Sequence, residues 1–183
     1  MANRLTKITT RTGDAGTTGL ADGSRVGKDA PRIAALGEVD ELNSLLGVIL
    51  CEEMPTEARE LLIGIQHDLF DLGGQLAVPG ASFLTESQLT RIEAAVDRYN
   101  GELSPLKEFI LPGGTRAASL AHLARTVCRR AERAVVAVGK SESISDAARK
   151  YLNRLSDLLF VLGRWLNKAA GSGDTLWQKG RNA

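Results

Sequence analysis

Residues 148–169, ARKYLNRLSDLLFVLGRWLNKA, carry the hydrophobic pattern that decides the fold. Their apolar residues alternate at steps of four and three along the chain: Ala148, Leu152, Leu155, Leu159, Leu162, Leu166 and Ala169. This spacing puts one unbroken aliphatic stripe on a helix, as in helices that pack against their neighbours at a shallow angle. The stretch therefore predicts a bundle helix, with Ser143 or Ser145 as its N-cap.

Four earlier segments repeat this helical periodicity. Turn and cap residues bound them, and they run from Pro31 to about Glu52, from about Ala58 to Pro79-Gly80, from Thr85 to Gly101 and from about Thr115 to Gly139. Short connections join the helices, and no segment shows the alternation of a β-strand. The sequence therefore predicts an all-α fold, a five-helix up-and-down bundle.

The chain of 183 residues has the length of a single domain. Residues 1–30 lack a helical period and are rich in Thr, Gly, Asp and basic side chains, so we expect an ordered N-terminal arm. Residues 31–170 form the predicted bundle, and residues 171–183 form a loop-like C-terminal tail. We thus expect one domain with non-helical segments at both ends.

The composition disfavours several classes of protein. The 23 Lys and Arg against 22 Asp and Glu leave a net charge of +1, which argues against a general nucleic-acid binder. Cys51 and Cys128 have no CxxC spacing, so neither a zinc site nor a disulfide framework is predicted, and a reducing, cytoplasmic location fits best. No run of about 18 apolar residues marks a membrane span. We expect no dedicated metal centre and no nucleic-acid or membrane partner.

The arm contains a glycine-rich stretch, TTRTGDAGTTG at residues 9–19, which combines hydroxyls with Arg11 and is followed by Lys28. Backbone NH groups in such a turn form an anion-binding concavity, and the cations neutralise a phosphate. It is not a Walker A loop, because no Gly-Lys-Ser/Thr follows. From these residues alone, a phosphate cradle and a flexible Gly/Thr arm are both open interpretations.

Helix four carries polar residues on the face opposite its Val and Ala stripe: His122, Arg125, Arg129, Glu132 and Arg133. Guanidinium groups donate paired hydrogen bonds to phosphate oxygens and keep their charge at any ordinary pH. The face therefore suits a polyphosphate. A merely solvated charged surface is the alternative.

Asp40 lies in a stripe of small residues on helix one, with Gly37, Ser44 and Gly47. Such a stripe lets another helix approach closely, and a carboxylate there needs a cationic partner unless it is a rim charge in water. On helix five, Asn153 lies beside the aliphatic stripe, where it would point to a cleft or an interface.

The sequence offers few groups for acid, base or nucleophilic catalysis. It has only His67, expected on a helix surface, and His122, with no Ser-His-Asp or Cys-His pairing. Cys128, next to Arg129, is a weaker candidate for an activated thiol. Binding of an activated phosphate compound is therefore a better interpretation than hydrolysis through a conventional nucleophile.

Residues 107–114, KEFILPGG, form an apolar run broken by Pro112 and two glycines, which predicts a structured turn presenting Phe109 and Ile110. We expect Phe109 at the mouth of a cleft. A core position is the alternative, because an apolar residue before a turn is usually buried.

Taken in order, these segments resemble the cob(I)alamin adenosyltransferases of the propanediol-utilisation type. The shared strings are TRTGDAGTTGL at 10–20, RVGK at 25–28, GEVDELNSLLG at 37–47, FILPGG at 109–114, CRRAER at 128–133 and YLNRLSDLLF at 151–160. The resemblance spans roughly Thr9 to Trp177. One departure is Ala15, at a position where relatives often carry a lysine, which puts one phosphate contact in question.

The resemblance implies a homotrimer of five-helix bundles, with ATP between neighbouring subunits and cobalamin alongside. It assigns ATP binding to the arm and to helices four and five: Thr10, Arg11, Thr12, Gly13, Thr18, Lys28, Arg129, Glu132, Arg133 and Asn153. It assigns catalytic roles to Arg129, Arg133 and Asp40, with Asp40 paired to Arg129 of the partner subunit. Phe109 and Trp177 are the residues that it assigns to cobalamin binding.

The implied reaction transfers the 5′-deoxyadenosyl group of ATP, with Mg²⁺, to the cobalt of reduced cob(I)alamin and releases triphosphate. Cobalt is the nucleophile, so positioning and charge neutralisation suffice without a general base. Phe109 would displace the ligand on the lower face of the cobalt. A cobalamin reductase and an adenosylcobalamin-dependent enzyme are further implied partners.

Two alternative functions stay open. One is a helical bundle that binds ATP or delivers cobalamin without turnover. The other is a nucleic-acid binder that uses the helix-four arginines.

Overall fold

The computed structural model describes residues 8–182, which form five α-helices and a small two-stranded sheet. The helices are α1 (Pro31–Ile49), α2 (Thr56–Ala77), α3 (Glu86–Gly101), α4 (Arg116–Val138) and α5 (Asp146–Ala169), and the strands are β1 (Thr17–Gly19) and β2 (Arg25–Gly27). The predicted all-α five-helix bundle is confirmed. Residues 1–7 of the predicted arm and Ala183 of the tail lie outside the described residues. None of the helices in the described part of the chain has the length and hydrophobicity of a membrane span.

The helix α5 is central to the core, because both α3 and α4 pack against it. The helix α4 also packs against α1, which in turn packs against α2. The aliphatic stripe of α5 is buried from Ala148 to Leu166 as its spacing predicts, whereas its last member, Ala169, is exposed at the end of the helix. The fully buried leucines of the stripe are Leu152, Leu155, Leu159 and Leu162. Ser145 is the N-cap of α5, with its Oγ accepting a hydrogen bond from the Ala148 NH.

The arm forms a β-hairpin, which the sequence analysis did not predict. The strands β1 and β2 pair antiparallel, with Thr18 opposite Val26. Strands of three residues are too short to show the alternation by which a strand is recognised in a sequence. The Ala21 NH donates a hydrogen bond to the Ala77 carbonyl over 2.9 Å, so the hairpin is tied to the C-terminal end of α2.

The end of α2 that receives the arm is itself held by a buried arginine. Arg32, only 3% exposed, donates from Nη1 to the Leu76 carbonyl over 2.7 Å and pairs with Glu142 at 2.5 Å. A buried guanidinium is stable when its donors and its charge are matched in this way. Arg32 therefore joins the start of α1, the end of α2 and the α4–α5 connection.

The C-terminal tail pairs with the turn between α3 and α4. Ile110 and Leu176 form an antiparallel bridge. The Leu111 NH donates to the Thr175 carbonyl and the Trp177 NH donates to the Phe109 carbonyl, each over 2.8 Å. We call the paired segments 109–111 and 175–177 the tail ladder. The tail predicted as a loop thus has a defined place beside Phe109.

Candidate functional site

The predicted phosphate cradle begins with three exposed residues, Thr10, Arg11 and Thr12. The hydroxyls of Thr10 and Thr12 lie 3.0 Å apart. Arg11, between them, has a left-handed backbone with a φ of 60°. Left-handed non-glycine residues are uncommon and cluster at functional sites. Two hydroxyls and a guanidinium are therefore grouped on the surface of the arm.

Lys28 folds back over the glycine-rich turn. Its NH donates to the Gly16 carbonyl over 2.9 Å. A Cβ atom at Gly13 would lie 3.2 Å from the Lys28 Cε and Nζ atoms and 3.0 Å from the Thr17 carbonyl, so a side chain there would push these neighbours back by a few tenths of an ångström. The structure thus brings together the predicted residues Gly13 and Lys28, while Thr18 is half-buried in β1. An ammonium beside a glycine-rich turn suits phosphate binding.

Arg25, which the sequence analysis missed, cross-links the cradle. Its Nη2 donates to the Thr12 carbonyl and to the Thr17 hydroxyl, each over 2.7 Å. Arg25 opens the RVGK motif, but only the hairpin register brings it to these partners. Ala15, where relatives often carry a lysine, is an exposed turn residue.

The predicted arginine face of α4 presents Arg129 and Arg133 at the surface. Half-buried Glu132 accepts a hydrogen bond of 3.2 Å from Asn153 Nδ2 on α5. The Asn153 Oδ1 atom accepts from Arg154 Nη1 over 2.8 Å, which fixes the amide orientation. The structure therefore brings Asn153 of α5 to Glu132 of α4, the helix that carries the two guanidinium groups.

The arm and the arginine face are not bonded to each other in one chain. Within residues 8–182, no hydrogen bond or ion pair links the arm to Arg129, Glu132 or Arg133. The arm is tied instead to the end of α2 through Ala21. A single chain therefore carries two separate groups of candidate phosphate ligands.

Asp40 lies on an exposed face of α1, together with Gly37 and Ser44. It lines an open cavity of about 700 Å³ with Phe70, whose side chain on α2 is 72% exposed. The small-residue stripe is thus left open by the helices of the same chain. The pairing of Asp40 with an arginine of another subunit stays a prediction.

Phe109 lies outside the core, and its side chain is 77% exposed. It meets Trp177 edge to face and lines a cavity of about 560 Å³ with Pro112, Arg125 and Phe160. The alternative that Phe109 is a core residue is therefore wrong. The two aromatic residues assigned to the cobalamin site, Phe109 and Trp177, thus lie together. Their roles in cobalamin binding stay predictions.

His122 also lines this cavity, and its prediction as part of the polar arginine face of α4 is wrong because the side chain is buried. It is only 2% exposed and packs against Phe160, with ring centroids 6.0 Å apart, and against Gly163. The periodicity of α4 predicts one buried stripe, whereas α4 packs against both α1 and α5 and so buries a wider arc. Burial, and then the charge of Arg125, lower the pKa of His122.

The idea that Cys128 is an activated thiol is wrong. The side chain is fully buried, its Sγ donates to the Leu152 carbonyl over 3.2 Å, and burial raises the pKa of the thiol well above its ordinary value. His67 is exposed on α2, as predicted.

The described residues contain no group of three or more His, Cys, Asp or Glu side chains that could hold a metal ion. Mg²⁺ commonly binds through substrate phosphates with one or two carboxylates, which needs no such cage. Glu132, next to Arg133 in the chain and bonded to Asn153, is a carboxylate that fits this limited role.

The chain matches the family model for cobalamin adenosyltransferase over residues 8–166. It is 58% identical over 184 residues to the cobalamin adenosyltransferase of Cupriavidus metallidurans, with 100% of both chains covered. It is 46% identical to the corrinoid adenosyltransferase of Bacillus subtilis, over 94% of this chain and 93% of that one. A variant of the PduO-type ATP:corrinoid adenosyltransferase from Lactobacillus reuteri, solved with cobalamin and ATP, superposes with a TM-score of 0.90 at 38% identity, over 94% of this chain and 97% of that chain. By sequence and by fold, the chain belongs to the cobalamin adenosyltransferase family.

Proposed function

We propose that this protein transfers the 5′-deoxyadenosyl group of ATP to the cobalt of reduced cob(I)alamin, giving adenosylcobalamin and triphosphate. The observation that carries the proposal is the position of Phe109, which is 77% exposed beside a cavity of about 560 Å³ in a chain of this family. A large exposed aromatic residue held at a cavity is a feature of a binding site more than of a folded core.

The reaction requires the protein to position the two substrates and to neutralise the charge of the leaving triphosphate. A cobalt–carbon bond forms at C5′ of the ribose while the C5′–oxygen bond breaks, and the electron pair leaves with the triphosphate. Arg129 and Arg133 would neutralise the charge that develops on that leaving group, and Lys28 with the Gly13 turn would hold the phosphates. No general base is needed, because the nucleophile carries no proton to be removed.

Mg²⁺ is part of the proposal as the counter-ion of ATP. Glu132 would supply a carboxylate oxygen to it, with Asn153 keeping that carboxylate oriented through their 3.2 Å hydrogen bond. Bound there, the ion would further neutralise the phosphates.

Phe109 and Trp177 form the proposed corrin-binding surface. A phenyl ring below the cobalt excludes water and the nucleotide base without offering a replacement ligand, which makes cob(II)alamin easier to reduce. The two rings pack against each other in a T-shaped contact.

The proposed assembly is a homotrimer with its sites between subunits. Exposed Asp40, in its uncovered stripe of small residues, would pair with Arg129 of the partner subunit. Such an interface would also bring the arm of one subunit to the arginine face of another, which supplies the complete phosphate site that a single chain lacks.

A cytoplasmic location completes the proposal, supported by the free thiols of Cys51 and Cys128 in the described chain. The chemistry requires a supply of reduced corrinoid and a use for adenosylcobalamin. A cobalamin reductase and an adenosylcobalamin-dependent enzyme are therefore the proposed functional partners.

The test is an anaerobic assay with purified protein, Mg²⁺, ATP and chemically reduced cobalamin, following loss of the cob(I)alamin absorbance and release of triphosphate. Both signals should appear in equal amounts. ATP binding without triphosphate release would instead favour the non-catalytic binding or delivery bundle, and steeply salt-dependent binding of DNA or RNA would favour the nucleic-acid binder.

A further inference from the structure

The segment that carries Phe109 leaves the bundle and has little core contact of its own. Phe109 is 77% exposed, and its backbone is held through the tail ladder by the bonds Leu111 NH to Thr175 and Trp177 NH to Phe109. A two-stranded ribbon is marginally stable in water by itself. Something in the bundle must therefore fix the ladder.

Asn167, near the end of α5, holds the turn that follows Phe109. It is 3% exposed, its Oδ1 accepts from the Thr115 NH over 2.9 Å, and its Nδ2 donates to the Gly113 carbonyl over 3.0 Å. A side-chain amide can accept a hydrogen bond at its oxygen and donate another from its nitrogen, as Asn167 does here. One side chain thus bridges the residues on both sides of Gly114.

The backbone of Gly114 packs closely against the side chain of Asn167. Gly114 has a φ of 104°, a left-handed value that disfavours any side chain. A Cβ atom at this position would overlap the Asn167 amide. The turn therefore brings its backbone directly against the amide that holds it.

The same end of α5 also holds the tail strand of the ladder. The Asn167 carbonyl accepts from the Ser172 NH over 2.8 Å. Arg164, 6% exposed, donates from Nε to Asp174 Oδ2 over 2.8 Å and from Nη2 to the Ser104 carbonyl over 2.9 Å. Both strands of the ladder are thus anchored to the end of one rigid core helix.

We infer that Asn167 is a positioning residue for the corrin site: its amide fixes the turn 113–115, and through it the direction in which the tail ladder presents Phe109 and Trp177. Asn167 is buried, and both polar atoms of its amide are bonded to the backbone of the turn. The inference rests on the proposed function for its catalytic consequence, but its structural part stands on the contacts alone.

The first experiment compares Asn167→Ala with Tyr151→Phe. The control removes a buried hydrogen bond of the same helix, from the Tyr151 hydroxyl to Asp68 Oδ2 over 2.6 Å. In Asn167→Ala, amide hydrogen exchange at Leu111 and Trp177 should speed by about tenfold or more, because those bonds belong to the ladder. In Tyr151→Phe, the exchange rates at these two amides should not change. Unchanged exchange in Asn167→Ala overturns the inference whatever the enzyme does.

The second experiment measures turnover from two starting states of the substrate. In Asn167→Ala, turnover from cob(II)alamin with a reductant should fall on the order of tenfold to a hundredfold, the effect of a small misplacement in a site. Turnover from pre-reduced cob(I)alamin should fall much less, and the spectroscopic signature of four-coordinate cob(II)alamin should weaken. Equal losses from both starting states would mean a general structural role and overturn the inference.

A double-variant cycle tests whether Asn167 acts through Phe109. When Phe109→Ala is already present, adding Asn167→Ala should cause no further loss of turnover from cob(II)alamin, whereas independent effects would multiply. If Asn167→Ala does not fold, Asn167→Asp replaces it, because its carboxylate still accepts from the Thr115 NH but cannot donate to Gly113. If the wild-type protein itself forms no cobalt–carbon product, the proposed function fails, and hydrogen exchange still decides the inference.

Discussion

Phe109 and Trp177 face each other across the tail ladder as an edge-to-face pair, with ring centroids 6.4 Å apart and ring planes at 65°. Their side chains are 77% and 40% exposed, so the pair keeps apolar surface in contact with water. Burying that surface against a ligand is favourable, at roughly 25 cal/mol for each Å² removed from water. This apolar surface is the one that the proposed function assigns to the corrin ring.

The substitution Phe109→Ala should leave the fold intact. A buried phenylalanine costs about 3 to 5 kcal/mol when truncated to alanine, whereas a side chain this exposed should cost under about 1 kcal/mol. Turnover from cob(II)alamin should nevertheless be mostly lost, along with the four-coordinate cob(II)alamin signature, while ATP binding stays normal. Urea unfolding and anaerobic kinetics check the two parts, and a variant that keeps the signature would rule out the ligand-displacing role.

The substitution Gly114→Ala should destabilise the protein more than Gly80→Ala. Both glycines have left-handed backbones, with φ values of 104° and 79°, and that conformation costs a residue with a side chain about 1 to 3 kcal/mol. A Cβ at Gly80 meets open space, whereas a Cβ at Gly114 overlaps the Asn167 amide. The difference in the free energy of unfolding between the two variants measures the overlap. Equal values would mean that the turn moves away from Asn167 without cost.

The helices were predictable because their signals are local. The stripe of α5 repeats over six turns, and Thr85, where the third segment was predicted to begin, forms a capping box with Gln88 at the start of α3. The strands β1 and β2 were not predictable, because three residues carry no recognisable period.

The site was only partly predictable, because several of its contacts join distant parts of the chain. The motif at 10–13 and the face of α4 indicated which residues are candidates for phosphate binding. His122 was misplaced, because its burial depends on packing by both α1 and α5. The role of Asn167 could not be predicted from the sequence, because its partners Gly113 and Thr115 lie more than 50 residues away and contact it only in the folded chain.

The substitution Asp40→Asn should impair trimer assembly or ATP binding. In the proposed interface Asp40 pairs with Arg129 of the partner subunit, and removing one member of a buried pair costs about 3 to 5 kcal/mol, against less than about 1 kcal/mol for an exposed pair. Sedimentation equilibrium and ATP titration measure the two effects. Asp71→Asn, which changes another carboxylate lining the same cavity, is the control. An assembled trimer whose Asp40 carboxylate lies in open solvent, far from any guanidinium, would refute the pairing.

The substitution Arg25→Ala should raise the KM for ATP while leaving that for cobalamin nearly unchanged. Arg25 holds the cradle through its two 2.7 Å bonds to the Thr12 carbonyl and the Thr17 hydroxyl, and without them the cradle must be ordered by the ligand itself. Arg98→Ala, which removes a surface ion pair with Glu57 between α3 and α2, is the matched control. If both variants bind ATP like the wild type, the arm does not depend on Arg25 for its order.

The stability of the protein should depend on His122 in mildly acidic solution. Burial and the charge of Arg125 lower the pKa of His122 in the folded state below its ordinary 6.5, and Asp174 opposes them only in part. A base with a lowered pKa takes up its proton first in the unfolded chain, so stability is fully present above pH 6.5 and is lost as the pH falls towards the folded-state pKa.

His122→Gln removes this titration without adding a charge. The free energy of unfolding in urea, measured for both proteins between about pH 5 and pH 8, should therefore fall more steeply with acid in the wild type. Parallel curves would mean that His122 takes up its proton equally in both states, and the inferred neutral, buried ring would be wrong.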